Sequence, residues 1–333
     1  RRLSVSTGSY MSWRRLTRRL GVSALAGSLA FGMSGGAGAA PGAAQRAVLA
    51  PLAPTSLLLD VAWPGDRLVA VGERGHVVVS RDGGASWTQS DVPTRALLTG
   101  VFMLDGATGW AVGHDEVVLR TRDGGATWDL VHSAPEAEKP LLDVWFANAN
   151  DGLAVGAYGS LLATRDGGST WEPRQVLGDD DFHLNHLAAA PDGALYLSAE
   201  AGHLYRSDDR GATWQPLASP YDGSFFGILP RRDGTLLAYG LRGHLFRSGD
   251  RGATWTAIVT GTEESLTCAL ELDGGRFVVG GMAGTLLWGD AAASSVRTQE
   301  LPGRQAIMAI APVAPDAVLL AGEGGTQRAN IPR

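Results

Sequence analysis

Residues 80–90 read SRDGGASWTQS, and the stretch returns as TRDGGATWDLV (121–131), TRDGGSTWEPR (164–174), SDDRGATWQPL (207–217) and SGDRGATWTAI (248–258). The tryptophans Trp87, Trp128, Trp171, Trp214 and Trp255 are 41, 43, 43 and 41 residues apart. A fixed period in this range marks a repeat architecture, whose units bury their faces only against neighbours. The shared pattern is Ser/Thr-x-Asp-x-Gly-x-x-Trp. A short carboxylate in a turn accepts hydrogen bonds from the turn's own N–H groups. Glycine takes a backbone conformation that other residues resist. Tryptophan carries a large apolar area back under the turn. Asp82, Asp123, Asp166, Asp209 and Asp250 therefore read as staples of a turn rather than as catalytic acids.

The repeat is larger than this box. Each box follows two short apolar runs joined by a Gly-rich turn, as in LVAVGERGHVVVS (68–80) and LLAYGLRGHLFRS (236–248). Two further pairs, FVVGGMAGTLLWG (277–289) and VLLAGEGGTQR (318–328), lack a good box. Another apolar run precedes every pair, from LLLDVAW (57–63) to AIMAIAPV (306–313). Short runs bounded by Gly, Asp and Pro read as strands. Seven units of four antiparallel strands around an axis make an all-β, seven-bladed β-propeller, with the boxes in the turns between third and fourth strands. No fourth strand follows unit seven, and QRAVLAPLAP (45–54) is expected to supply it and close the ring. The expected organisation is a signal peptide over 1–40, an N-terminal segment with the closing strand over 41–56, and the propeller over 57–333.

Residues 1–40 hold six arginines and no acid, then the apolar run LGVSALAGSLAFGM (20–33) and small residues. This describes a secretory leader with Met11 as a candidate start and Ala37-Gly38-Ala39 as a cleavage site. An uncleaved anchor is the alternative, for which the apolar run is short. Arg18-Arg19 fits a twin-arginine signal, and general secretion fits as well. The expected location is the periplasm. Without residues 1–40 the chain has 22 basic and 34 acidic residues, a net charge of −12. That argues against nucleic-acid binding. The single cysteine, Cys268, excludes an intramolecular disulfide and a cysteine-built metal site.

Variation between units concentrates on the face opposite the boxes, where the turns between second and third strands meet the connections between blades. Arg74, His114, Asp115, Tyr158 and Arg242 lie in those turns, and His183 in a connection. The face is acidic. It reads either as a solvated rim or as a docking face for a partner segment. GDDDFHLNH (178–186) offers Asp179, Asp180, Asp181, His183 and His186 as metal ligands. However, residues three apart on a strand point to opposite faces, so no metal is assigned. Arg120, Arg206 and Arg247 share one repeat position and form either a basic stripe for a partner or arginines laid along the blade surface. Common hydrolase and nucleotide motifs are missing, and neither catalytic residues nor a cofactor is assigned.

The box resembles the Asp-box, or BNR, repeat of sialidases and related propellers. Catalysis of that type needs an arginine cluster, a tyrosine nucleophile and a carboxylate pair. The tyrosines are few, and Tyr196, Tyr205 and Tyr239 sit where other units carry Leu or Val. With ANDGLAVGAYGSLLATRDGGSTW (149–171) and DGATGWAVGHDEVVLRTRDGGATW (105–128), residues 45–333 look like the photosystem II stability and assembly factor family, in the manner of its proteobacterial relatives. The resemblance implies an exported, non-enzymatic scaffold that binds subunits of a membrane protein complex, photosystem II-like or a transporter. It would be a monomer with peripheral membrane association, in the periplasm or, in a photosynthetic cell, the thylakoid lumen. An Asp-box glycoside hydrolase or a glycan-binding lectin is the alternative.

Overall fold

The computed structural model describes residues 45–178 and 181–332. The expected leader with Met11 and its cleavage site, Tyr10, Asp179 and Asp180 lie outside the described residues.

Seven antiparallel sheets follow one another along the chain. Blade 1 holds β1 (Leu58–Ala62), β2 (Leu68–Gly72), β3 (Val77–Ser80) and β4 (Thr88–Gln89). Blade 2 holds β5 (Leu98–Met103), β6 (Gly109–Gly113), β7 (Val118–Thr121) and β8 (Asp129–His132). Blade 3 holds β9 (Leu141–Phe146), β10 (Gly152–Gly156), β11 (Leu161–Thr164) and β12 (Glu172–Arg174). Blade 4 holds β13 (Leu184–Ala189), β14 (Leu195–Ala199), β15 (Leu204–Ser207) and β16 (Gln215–Pro216). Blade 5 holds β17 (Phe225–Pro230), β18 (Leu236–Gly240), β19 (Leu245–Ser248) and β20 (Thr256–Ile258). Blade 6 holds β21 (Leu266–Glu271), β22 (Phe277–Gly281), β23 (Thr285–Gly289) and β24 (Val296–Glu300). Blade 7 has three strands, β25 (Ile307–Ala314), β26 (Ala317–Gly322) and β27 (Gly325–Asn330). The first strands contact one another in order and β25 returns to β1, so the ring is closed. Among the described residues no helix is long and apolar enough to cross a membrane.

Alternation of side chains explains the core. A second strand has a neighbouring blade on each side, so both of its faces are buried and it reads as a continuous apolar run. In β2, Leu68 and Ala70 pack toward blade 7 while Val69 and Val71 pack toward blade 2. Tyr196, Tyr205 and Tyr239 are blade core, as their repeat positions predict.

The closing segment departs from expectation. Residues 45–54 form no strand and do not complete blade 7. They lie along the outer edge of blade 1, where Ala47 N–H donates to Val92 O (2.9 Å) and Ala50 N–H to Gln89 Oε1 (2.7 Å). Pro51 and Pro54 have no N–H to give a ladder, and the chain turns at Ala53–Thr55 instead. That turn abuts blade 7 at Gly325 (φ +78°), where any Cβ would stand 2.2 Å from Pro54 O. Closure comes from side-chain packing. Leu58, Leu68, Ala70 and Val78 of blade 1 meet Ala309, Ala311, Leu319 and Ala321 of blade 7, with Ala53 between them.

The boxes form as their residue types predict. Asp82 Oδ1 accepts Ser80 Oγ–H (2.8 Å) and Ser86 N–H (2.9 Å), and Oδ2 accepts Ser86 Oγ–H (2.5 Å). Asp123, Asp166, Asp209 and Asp250 repeat this arrangement. Trp128 and Trp214 are buried, and Trp87, Trp171 and Trp255 half-buried. Unit six keeps the staple although its sequence hides it. Asp290 accepts Ser294 N–H (3.0 Å), Ser294 Oγ–H (2.8 Å) and Ser295 Oγ–H (2.8 Å).

The inner seams are polar. Asp60 Oδ2 accepts Val101 N–H of blade 2 (2.8 Å), and Asp143 Oδ2 accepts Leu187 N–H of blade 4 (2.8 Å). The alternate seams use donors: Thr99 Oγ to Leu141 O (2.7 Å), Asn185 Nδ2 to Phe225 O (2.8 Å), and Thr267 Oγ to Ile307 O. Burial pushes the Asp60 and Asp143 carboxyls up to about 7, and the Asp143 charge adds to the effect on Asp60. The box carboxyls go the other way. Hydrogen bonds from Ser86 and Ser80 hold Asp82 at about 2, and Asp166, Asp250 and Asp290 reach the same value through their own turns.

These opposed shifts predict a pH profile. A raised carboxyl contributes stability below about pH 4 that is lost as pH rises through about 7. A depressed one contributes above about pH 4 and is lost as pH falls through about 2. These carboxyls taken alone favour a stability maximum at about pH 4–5, and His76, His114 and His186, whose imidazoles burial lowers, shift the maximum upward. Thermal scans from pH 2 to 8 check this, with Asp60→Asn/Asp143→Asn flattening the limb above the peak. Profiles of the same shape for wild type and the double variant between about pH 4 and 8 would contradict the assignment.

Candidate functional site

The face opposite the boxes is built from seven hairpin turns, six of them of one shape. Their tips are Arg74 (φ 57°), Asp115 (φ 62°), Tyr158 (φ 56°), Ala201 (φ 53°), Arg242 (φ 56°), Ala283 (φ 53°) and, in blade 7, Gly324. The residue after each of the first six also has positive φ: Gly75, Glu116, Gly159, Gly202, Gly243 and Gly284. Two consecutive left-handed residues make the tight turn whose twist matches that of the paired strands. The tip side chain is thereby aimed out of the face. Left-handed backbone costs a non-glycine residue about 1–3 kcal/mol, and bulky residues adopt it least readily. Tyr158 does so with 44% of its surface exposed.

Around Tyr158 the face becomes aromatic. Its ring meets His183 edge-on at 5.1 Å. Phe182 lies 4.4 Å from His203, which stacks on Tyr205 at 5.9 Å. On the next blade Tyr221 stacks on His244 at 4.0 Å. Glu200 anchors the group. Its Oε1 is 3.1 Å from His183 Nδ1, and its Oε2 accepts His183 N–H (3.1 Å). Burial pushes the Glu200 carboxyl up, but the His183 donors outweigh it and bring it below its usual value. The result is a band of aromatic and imidazole rings across blades 3 to 5, held on rigid turns. Aromatic residues of this kind are enriched in protein interfaces.

The remaining sequence-predicted residues separate. Arg74, Asp115 and Arg242 are exposed tips on blades 1, 2 and 5. His114 is half-buried, and burial lowers its imidazole. Tyr158 and His183 are the pair that the fold brings together. Arg120, Arg206 and Arg247 lie toward the box end of their blades. Arg120 stands over Trp110 at 5.4 Å and donates to Gly167 O of blade 3 (3.4 Å). Arg206 is held by Asp208 (2.5 Å). These two are engaged by their own surroundings.

The metal-like stretch does not converge either. His183 is held by Glu200, while His186 on β13 faces Asp143 at 3.9 Å. Among the described residues no group of three or more His, Cys, Asp or Glu is arranged to hold a metal ion. Cys268 is buried, and burial pushes its thiol up to about 12. A cleft of about 220 Å³ lies between blades 3 and 4 on the box face, lined in part by Trp145, Arg165 and Arg210. Small-molecule sites usually occupy roughly 300–1,000 Å³.

Sequence reasoning passed over His203 and His244, and reached Phe182 and Tyr221 only as members of the connections 178–186 and 220–224 on this face. The available signal was the column of ring residues just after the turns: His76, His203 and His244 share one position. All seven histidines lie at this end of the blades.

The family described as photosynthesis system II assembly factor YCF48 matches residues 49–136 and 133–287. Among solved structures the chain is similar to YCF48 bound to a D1 peptide, with a TM-score of 0.70 and 17% identity over 84% of this chain and 94% of that one. It is similar to YCF48 from Cyanidioschyzon merolae, with a TM-score of 0.67 and 16% identity over 86% of this chain and 98% of that one. The C-terminal WD40 domain of Sif2 shares the fold at a TM-score of 0.62 and 14% identity, over 83% and 82% of the two chains. No match is found among curated proteins.

Proposed function

The chain belongs to the photosynthesis system II assembly factor YCF48 family, and on that footing we propose that it is a non-enzymatic scaffold that holds a segment of a membrane-complex subunit during assembly. The observation that carries this reading is the ring band around Tyr158. A half-exposed tyrosine is kept in a strained turn where glycine would serve the fold better. A solved structure of YCF48 bound to a D1 peptide supports the same kind of partner. This reading puts the protein outside the cytoplasm, in keeping with the leader expected over 1–40. The carboxylates of the inner ring support a scaffold over a hydrolase, because Asp60 and Asp143 are spent on backbone N–H groups of adjacent blades.

The test is affinity purification of the tagged protein from gently solubilised native membranes, followed by mass spectrometry. One membrane complex should be enriched at least tenfold over a tag control. Tyr158→Gly relieves the strained turn, so it should keep or raise the melting temperature while losing most of the enrichment. A protein that comes down without a partner, or that binds or cleaves glycans in a parallel screen, would overturn the proposal.

A further inference from the structure

Among the described residues blade 7 holds three strands where the other blades hold four. In blades 1 to 6 a fourth strand covers the third, and the third strands are largely buried. In β27, by contrast, Gln327, Arg328 and Asn330 are exposed. Gly322 opposite Gly325 closes a two-residue turn between β26 and β27. In such a hairpin the closing pair is hydrogen-bonded, and bonded pairs then alternate with unbonded ones. Gly325, Gln327 and Ala329 are thus committed to β26, while the peptide groups of Thr326, Arg328 and Asn330 point outward. Among the described residues no strand pairs with them.

The side chain on this edge has counterparts. Arg328 stands opposite Leu319, as Arg120 stands opposite Trp110, Arg206 opposite Tyr196 and Arg247 opposite Leu237. In those blades the fourth strand faces the arginine with a polar residue: Asp129, Gln215 and Thr256. Among the described residues Arg328 has no fourth-strand neighbour and belongs to no ion pair.

We infer that the outer edge of β27 is a docking site for an extended segment of a partner protein, which adds as the fourth strand of blade 7 and sets an acidic residue opposite Arg328. The inference rests on the scaffold reading and names where the client segment lies. Six fourth strands within the same molecule show that this position takes a short, polar, antiparallel strand. Main-chain bonds then supply affinity and alternate side chains supply selectivity. β27 starts against the Ala53–Thr55 turn. The carboxyl end of an antiparallel strand therefore arrives beside that turn, next to exposed Leu52.

The probes are synthetic peptides tiling the extramembrane tails of the subunit recovered above, titrated against the full protein. Arg328→Pro removes one outward N–H and none of those committed to β26, and it should weaken an acidic tail peptide at least tenfold. Arg328→Ala keeps the backbone edge and should weaken it less. On wild-type protein, N-methylation at alternate peptide positions should abolish binding at one set and spare the other, which serves if Arg328→Pro does not fold. Equal binding by wild type and Arg328→Pro, or indifference to N-methylation, overturns the inference and leaves the scaffold reading intact. If no subunit is recovered, the scaffold reading fails, and hydrogen exchange on the protein alone decides the edge. Slow exchange at Thr326, Arg328 and Asn330 would show it already covered. A wild-type dimer that Arg328→Pro converts to monomer would assign the edge to a second copy and overturn the peptide assignment.

Discussion

Trp110→Ala is expected to lower the unfolding free energy by about 4–5 kcal/mol, combining the usual cost of emptying a buried tryptophan site with the loss of an aromatic stack. Trp110 has no exposed surface. Its ring stacks on Phe146 of the next blade with centroids 3.5 Å apart and planes 6° from parallel. Its Nε1–H donates to Gly167 O (2.9 Å), in the box turn of blade 3. One side chain therefore ties the second strand of blade 2 to the first strand and the box turn of blade 3. The surrounding sheets cannot collapse into the space, because their spacing is set by the other seams. Denaturant unfolding followed by tryptophan fluorescence checks the value. Trp110→Phe, which keeps part of the stack and loses the N–H, should fall between the two. A change below about 1 kcal/mol, the scale of an ordinary surface substitution, would show that the blade 2–3 seam is not held here.

Arg231→Met is expected to cost about 3–5 kcal/mol, the range found when one member of a buried charge network is removed. Arg231 is 1% exposed and belongs to the turn between the first two strands of blade 5. Its Nη2 donates to Gly275 O and Ala291 O of blade 6, both at 2.6 Å, and Nη1 donates to Thr235 Oγ at 3.0 Å. Nε faces Glu271 Oε1 at 3.9 Å, an ion pair too long for a hydrogen bond. The guanidinium also lies over Phe277 at 5.7 Å. Methionine fills much of the volume but leaves two carbonyls without a donor. Arg231→Lys should rescue little, because an ammonium cannot spread donors over the same three acceptors. Equal stability of the lysine variant and wild type would reduce the role of Arg231 to simple charge.

The two sites differ in how visible they are. The box at 80–87 could be read because each residue answers a demand made within eight positions: a carboxylate for the turn's N–H groups, glycine for its backbone, tryptophan for its underside. The same logic reached Tyr239 and Tyr196 through repeat position alone. It failed in unit six, where Trp288 replaces the usual Ser/Thr and no tryptophan follows the turn, although Asp290 and Ser294 keep the bond. It failed again at residues 45–54, where a missing fourth strand suggested a donor. Pro51 and Pro54 made that segment a poor ladder partner, and side-chain packing between blades 1 and 7 closes the ring instead.

Arg231 could not be read at all. Two of its acceptors are backbone carbonyls 44 and 60 residues away, and carbonyls leave no mark on sequence. The ring band is an intermediate case. Tyr158, His183 and His203 were present in the sequence as loop residues, but the contact of Tyr158 with His183 depends on how one blade's connection folds over its turn. The sequence alone determined the repeat, the number of blades and the turn that pins each one, because those depend on forces acting within a few residues. Only the tertiary structure decided which edge is left open, which arginine is buried and which rings meet, because those depend on the register between blades. That register is set by packing between residues some forty positions apart, and no local pattern encodes it.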